Sequence, residues 1–373
     1  MRTLWRAALV GAAGALIAAV IAVPAMSDDA QRPGRYPGLP YIPCGTDIKG
    51  EGSSDSNLTC EFLGPDATND YAWLNFPQVG LAGSVKAKQW SRVPISMMAT
   101  AIEIISEPRP EENVQNEYWY KVQAFFVSPD GSEGNYGDSA LMPVRTVAFG
   151  SIPAEVTLQV SQRRDSAGLP RALVFRPHDI IRRPSNDDNT TVHTVFAATL
   201  SEKVDVKVRS LVVDGVPVDL EGPCGTGPDS QLTVSSKELT VVTPPDWDTS
   251  QGLTKLEGTI DPTEYQFGLF GGTLDGSIDI AAFDGCRTTT GDDLAPLLTA
   301  AVSAEDNPLA VRIGAAGGCT YYDDLGRSQP VPPGVTDPSE ACPLTDLGYP
   351  NKKVVVIPKV FEIPDHAPGE PPR

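Results

Sequence analysis

The stretch Glu117-Tyr118-Trp119-Tyr120-Lys121-Val122-Gln123-Ala124-Phe125-Phe126-Val127 decides how this chain is read. Tyr118, Tyr120, Val122, Ala124 and Phe126 recur at every second position, the period of a strand, and Trp119 points to the opposite face. Ser128-Pro129-Asp130-Gly131-Ser132 then supplies turn chemistry. Working outward, Pro94 to Ile105 reads as a strand before it, and Leu141 to Phe149, Glu155 to Ser161 and Arg171 to Phe175 continue the pattern after it. Thr191 to Leu200 and Lys203 to Leu220 follow, the second carrying Asp214-Gly215 between apolar runs, a two-residue hairpin signal. Pro217 suits an edge, because it cannot donate to a ladder. Turns come about every ten residues, the spacing of sandwiches and barrels.

The remainder of the 373 residues supports the same class. Thirty-five Pro and 34 Gly, spread throughout, argue against long helices. Leu232 to Val242 and Tyr265 to Ile280 read as strands, and Thr288 to Val302 is the one good helix signal, with acids at its start and Pro296 tolerated in its first turn. A last strand is expected at Lys353 to Phe361, and Pro364 to Arg373 reads as disordered. The expectation is a mainly β protein of two antiparallel sandwich-like units with one short helix, stapled by disulfides. Its parts are a signal peptide at 1–25, a Pro/Gly-rich arm at 26–65, a sandwich-like domain at 66–220, a Cys-containing β domain with the helix at 221–345, and a final strand and tail at 346–373.

Arg2 and Arg6 followed by an uncharged run from Ala7 to Val23 and by Val23-Pro24-Ala25 have the three-part layout of a signal peptide, with a cut expected after Ala25. An uncleaved anchor is the alternative, and contact with a membrane is expected only in that case. The chain is therefore read as secreted or attached to the cell envelope. In that oxidising setting the six cysteines Cys44, Cys60, Cys224, Cys286, Cys319 and Cys342 point to disulfides. Fifteen pairings exist for six cysteines. Proximity favours Cys44 with Cys60, Cys224 with Cys286, and Cys319 with Cys342.

Forty-eight acids against 29 basic side chains give a formal charge of −19, and no long basic run occurs, which excludes a nucleic-acid partner. Chemistry has little to work with. The three histidines are His178, His193 and His366, and no Gly-x-Ser-x-Gly elbow accompanies them. His178, after Pro177, reads as a loop residue, and His193 as a strand residue at the surface or an edge. A pair of carboxylates for glycoside cleavage needs no local motif, so a hydrolase of that kind stays open. Calcium is the candidate ion, since it takes loop carboxylates and carbonyls. The loops dense enough are those holding Asp130, Glu133 and Asp138, Asp187 and Asp188, and Asp323 and Asp324, none with EF-hand spacing. Tyr71, Trp73 and Phe76 lie in a polar stretch and are the exposed-aromatic candidate for carbohydrate.

The run Val206 to Val218, then Pro223-Cys224, Gly271-Gly272-Thr273-Leu274-Asp275-Gly276-Ser277-Ile278-Asp279-Ile280, Phe283-Asp284-Gly285-Cys286 and Asp292 to Ser303 with Asn307-Pro308 resembles secreted actinobacterial β-rich proteins of unassigned function. The similarity covers residues 200–320, and no catalytic residue comes with it. It implies that the two cysteines framing the stretch, Cys224 and Cys286, are paired. The expected role is a non-catalytic structural or interaction protein of the envelope or its surroundings, its partner an envelope component or an extracellular ligand. A carbohydrate or calcium-dependent binding module and an acid-pair hydrolase are the alternatives.

Overall fold

A computed structural model describes residues 36–42, 47–50, 72–132, 135–148, 152–182, 191–243, 271–314, 321–322, 328–337 and 358–371. The segment expected as a signal peptide, Cys44, Cys60, Cys319, Cys342 and Tyr71 lie outside them. Residues 33–373 form one compact unit.

Three long antiparallel strands come first, β1 (Ala72–Ser84), β2 (Gln89–Arg109) and β3 (Val114–Phe126). A hairpin of β4 (Met142–Ala148) and β5 (Ile152–Gln162) follows, then the short β6 (Leu173–Phe175), β7 (His178–Arg182) and β8 (Thr191–Val195). The 15-residue β9 (Thr199–Val213) turns into β10 (Val216–Val218). The turn is the expected one: Asp214 and Gly215 both take positive φ, 50° and 76°, as a type I′ hairpin requires. After β11 (Leu220–Glu221), β12 (Cys224–Gly225), β13 (Ser230–Ser235) and β14 (Leu239–Thr243) come β15 (Gly272–Asp279), β16 (Arg287–Thr288), α1 (Ala295–Val302), β17 (Asn307–Ile313), β18 (Tyr321–Tyr322) and β19 (Ser328–Gln329). Just ahead of the helix, Asp293 Oδ1 accepts the Ala295 N–H at 3.0 Å, and Pro296 lies inside the first turn.

The protein is mainly β with antiparallel pairing and, among the described residues, one short α-helix, as the alternation indicates. The division at residue 220 is absent from the sheet. One sheet runs β14-β8-β7-β3-β2-β1-β17-β15-β13-β9-β5-β4, with β6 on β3 and β10 and β12 on β9. The first strand thus pairs with the seventeenth, and β9 with both β5 and β13. Sequence alternation assigns strands but not their neighbours, so two consecutive regions of strands read as two sandwiches when they interleave. Leu232 to Val242 shows the same effect: it is two strands, β13 on β9 and β14 on β8, at distant places in the order.

The sheet curls so that one face encloses the core. Phe76, Ile102 and Phe126 from β1–β3 cluster there with Val156, Val206, Leu232 and Leu274 from the far strands. Curling needs close approach, and at Gly276 a Cβ would lie 2.0 Å from the Thr233 carbonyl oxygen, so only glycine fits between β13 and β15. Cys224 joins Cys286 across a sequence separation of 62, both almost fully buried. Closing a loop of that length contributes about 4 kcal/mol on the chain-entropy model.

The outer face of β1–β3 carries a second core of Trp73, Met97, Ala99, Ala101, Phe125 and Val127. It is covered by Leu39 and Ile42 of the arm and by Val331. Trp73 and Phe76 are therefore core residues, 1% and 4% exposed, and not an exposed aromatic platform. Their polar flanks hid a strand that alternates between two buried faces. The described part of the Pro/Gly-rich arm is held by burial of Leu39, Ile42 and Ile48. The tail differs as well: residues 358–371 are ordered along the sheet and form no strand there. Trp90 Nε1 donates to the His366 carbonyl at 2.7 Å, Arg92 Nε to that of Phe361 at 2.9 Å, and Arg312 Nη1 to that of Lys359 at 3.1 Å.

Candidate ligand-binding interior

The enclosed face of the sheet is not packed throughout. Alternate residues of β4, β5, β9, β13, β15 and β17 point inward, because the pleat sends every second side chain to one side. Between them lies a partly enclosed cavity of about 210 Å³, bordered by Phe126, Leu158, Val206, Leu232, Leu274 and Val311 among others. Polar side chains gather toward the β1–β2 hairpin, where Gln78, Ser84, Gln89, Ser91 and Ser96 face it. Interiors otherwise pack to crystal density, with few voids larger than a water molecule. Dry cavities lined by aliphatic side chains take apolar guests.

The two strand histidines lie elsewhere, on opposite faces of the β3–β7–β8 end of the sheet. Trp119 pairs with His178 across β3 and β7, which stacks their rings at 3.7 Å; Phe196 stacks on the other side of the imidazole at 4.6 Å. His178 Nε2 meets Glu117 Oε1 at 2.7 Å, and Arg109 Nη2 meets Glu117 Oε2 at 2.7 Å. Lys49 pairs with Glu107 at 2.6 Å and lies 5.6 Å over the Trp119 ring. On the other face His193 Nε2 meets Asp179 Oδ2 at 2.5 Å, with both residues buried. Tyr118 and Tyr120 share that face, as the period-two reading requires, and burial first, then Asp179, raises the Tyr120 hydroxyl above its ordinary range. His178 is thus the first residue of a strand and not a loop residue, and His193 is a buried partner and not a surface one. Sequence carries no sign of either pairing, since Glu117 reaches His178 only through the β3–β7 ladder. Neither histidine borders the cavity.

Of the acids in the candidate calcium loops, Asp130 and Asp138 are described, and both are engaged within the protein. Asp130 binds within its own turn, accepting from Ser132 and Asn135, and these bonds hold its carboxyl below the usual range, the Ser132 bond foremost. Asp138 is buried and accepts from Ser161, and it lies 3.4 Å from Arg164, 3.7 Å from Lys207 and 3.9 Å from Arg209. Arg164 also reaches Asn135, so a guanidinium stands between the two acids where a cation would have to bind. Among the described residues no three of His, Cys, Asp and Glu converge on a point. Glu133, Asp187, Asp188, Asp323 and Asp324 lie outside the described residues.

The cavity is the feature sequence reasoning missed. Each apolar residue bordering it reads as an ordinary core position, and only the distance between strands remote in sequence shows that they do not close on one another. Among the described residues no helix is long and apolar enough to cross a membrane. The chain matches no protein-family model, no curated protein and no solved structure.

Proposed function

We propose that this is an exported, non-catalytic protein of the cell envelope or its surroundings that binds an apolar ligand inside its curled sheet. The observation that carries the reading is the aliphatic cavity of about 210 Å³. Export rests on the Arg-flanked apolar run before Ala25 and on the paired Cys224 and Cys286. The non-catalytic part is supported by the two strand histidines, His178 and His193, both engaged with carboxylates away from the cavity. Binding is measured by titrating the protein with dodecanol, an uncharged chain, and following thermal unfolding. At one hundred times Kd the ligand stabilises the fold by about 2.7 kcal/mol. A melting temperature that dodecanol leaves unchanged at every concentration up to its solubility overturns the reading.

A further inference from the structure

The curled sheet stops short of a closed barrel. Edge strand β4 pairs with β5 alone. The part of β2 from Gln89 to Ser96 pairs with β1, while its pairing with β3 begins at Met98. Among the described residues these two edges, although neighbours, share no ladder bonds. Pro94 on β2 and Pro143 on β4 each lack the N–H that a ladder would use.

The seam borders the cavity. Met142, Val144 and Thr146 of β4 face inward to the cavity, and Ser91, Val93 and Pro94 of β2 border both it and a groove on the outside. That groove is lined by Trp90, Arg92, Pro143 and Arg145, and by Val360 and Ile363 of the tail. The tail runs over it as a strap, its carbonyls held by Trp90, Arg92 and Arg312. Val360 and Ile363 remain 46% and 52% exposed, large apolar side chains lining the groove beside the seam. In a chain of charge −19, two guanidiniums line the outer groove along this seam, the chemistry that attracts an anion. Arg145 also meets Glu155 at 3.0 Å, an exposed pair of small energy that an incoming anion can compete for.

Resting on the reading of the interior as a ligand site, we infer that its ligand is a single-chain anionic amphiphile that enters through the β2–β4 seam, lodging its chain in the cavity and its headgroup against Arg92 and Arg145. A hydrocarbon chain needs no hydrogen bonds from the walls, and the seam has none to break. The headgroup stays in the wet groove, which avoids burying its charge.

The test compares two ligands of equal chain length, dodecanoate and dodecanol, by isothermal titration on the full chain and on the double variant Arg92→Ala/Arg145→Ala. Wild type binds dodecanoate more tightly. The double variant weakens dodecanoate by about tenfold, as two exposed charge contacts would, and changes dodecanol by less than about twofold. Arg145→Ala alone leaves the Arg92 contact to the strap intact and weakens dodecanoate about threefold. If wild type binds both ligands and the variants weaken neither, or weaken both alike, the headgroup site is elsewhere and the inference falls while the interior reading stands. If wild type binds neither, both fall.

Discussion

Strands β1 to β3 have a core on each side, and the two are built differently. The outer one packs Trp73, Met97, Ala99, Ala101 and Phe125 to between 0% and 1% exposure under the arm and Val331. Rings meet there, Trp73 against Tyr36 at 5.6 Å and against Phe125 at 6.2 Å. The inner one is larger, draws on ten strands and the helix, is lined by branched aliphatics, and leaves a cavity. A face that only holds the sheet together gains from every contact it closes. A face that encloses a ligand must forgo some of them, so the division of labour runs through the thickness of a single sheet.

The largest expected effect tests that division directly. Trp73→Ala and Phe125→Ala each cost about 3–5 kcal/mol, because their sites are filled on all sides. Leu232→Ala, at the cavity wall, falls at the low end of the aliphatic range, about 2–3 kcal/mol. Urea unfolding measures both. Equal costs would mean that the inner face is packed as well as the outer, and the contrast would be lost.

Adding volume in place of removing it has a smaller effect and sharpens the contrast. Ala101→Leu on the outer face has no room and destabilises by about 1–3 kcal/mol. Val234→Leu extends into the cavity and stays within about 1 kcal/mol of wild type, while weakening dodecanol binding. Thermal unfolding and the same titration read the two consequences together.

The contrast also shows what sequence could and could not reveal. The strand at Val114–Phe126, the Asp214-Gly215 hairpin and the helix before Val302 follow from local pattern, because period, turn conformation and capping are properties of neighbours in sequence. The pairing of Cys224 with Cys286 came from proximity and resemblance, and the structure contains it. Strand β1 escaped, since Trp73 and Phe76 are buried on opposite faces and the alternation of apolar and polar residues that marks a one-sided strand is missing. The interleaved order of β1 with β17 and the cavity itself depend on contacts more than two hundred residues apart. No composition or spacing encodes such distances. The same holds for Asp138, an acid in a turn-rich loop whose three cationic neighbours come from segments following it in the chain.

The smallest expected effect concerns the one acid that β9 turns inward. Glu202 pairs with Leu232, so it lies on the enclosed face between Leu200 and Val204. Burial raises its carboxyl above the usual range, although the Val174 backbone N–H, Arg176 and Arg163 each favour the charged form. The folded chain therefore binds this proton more tightly than the unfolded one. As pH rises through the ordinary glutamate range, near about 4.3, the unfolded state releases its proton first and the fold loses stability. The loss is complete above the raised value. Glu202→Gln removes it. Because the side chain is only half-buried and screened by solvent, the variant gains no more than about 0.5 kcal/mol at pH 7, and the gain disappears near pH 3, where both states hold the proton. Urea unfolding of the two proteins across that range checks the sign. A variant less stable than wild type at neutral pH would show that the charged carboxylate is held by its cations, and that the enclosed face accepts charge as readily as the outer one does at Asp138.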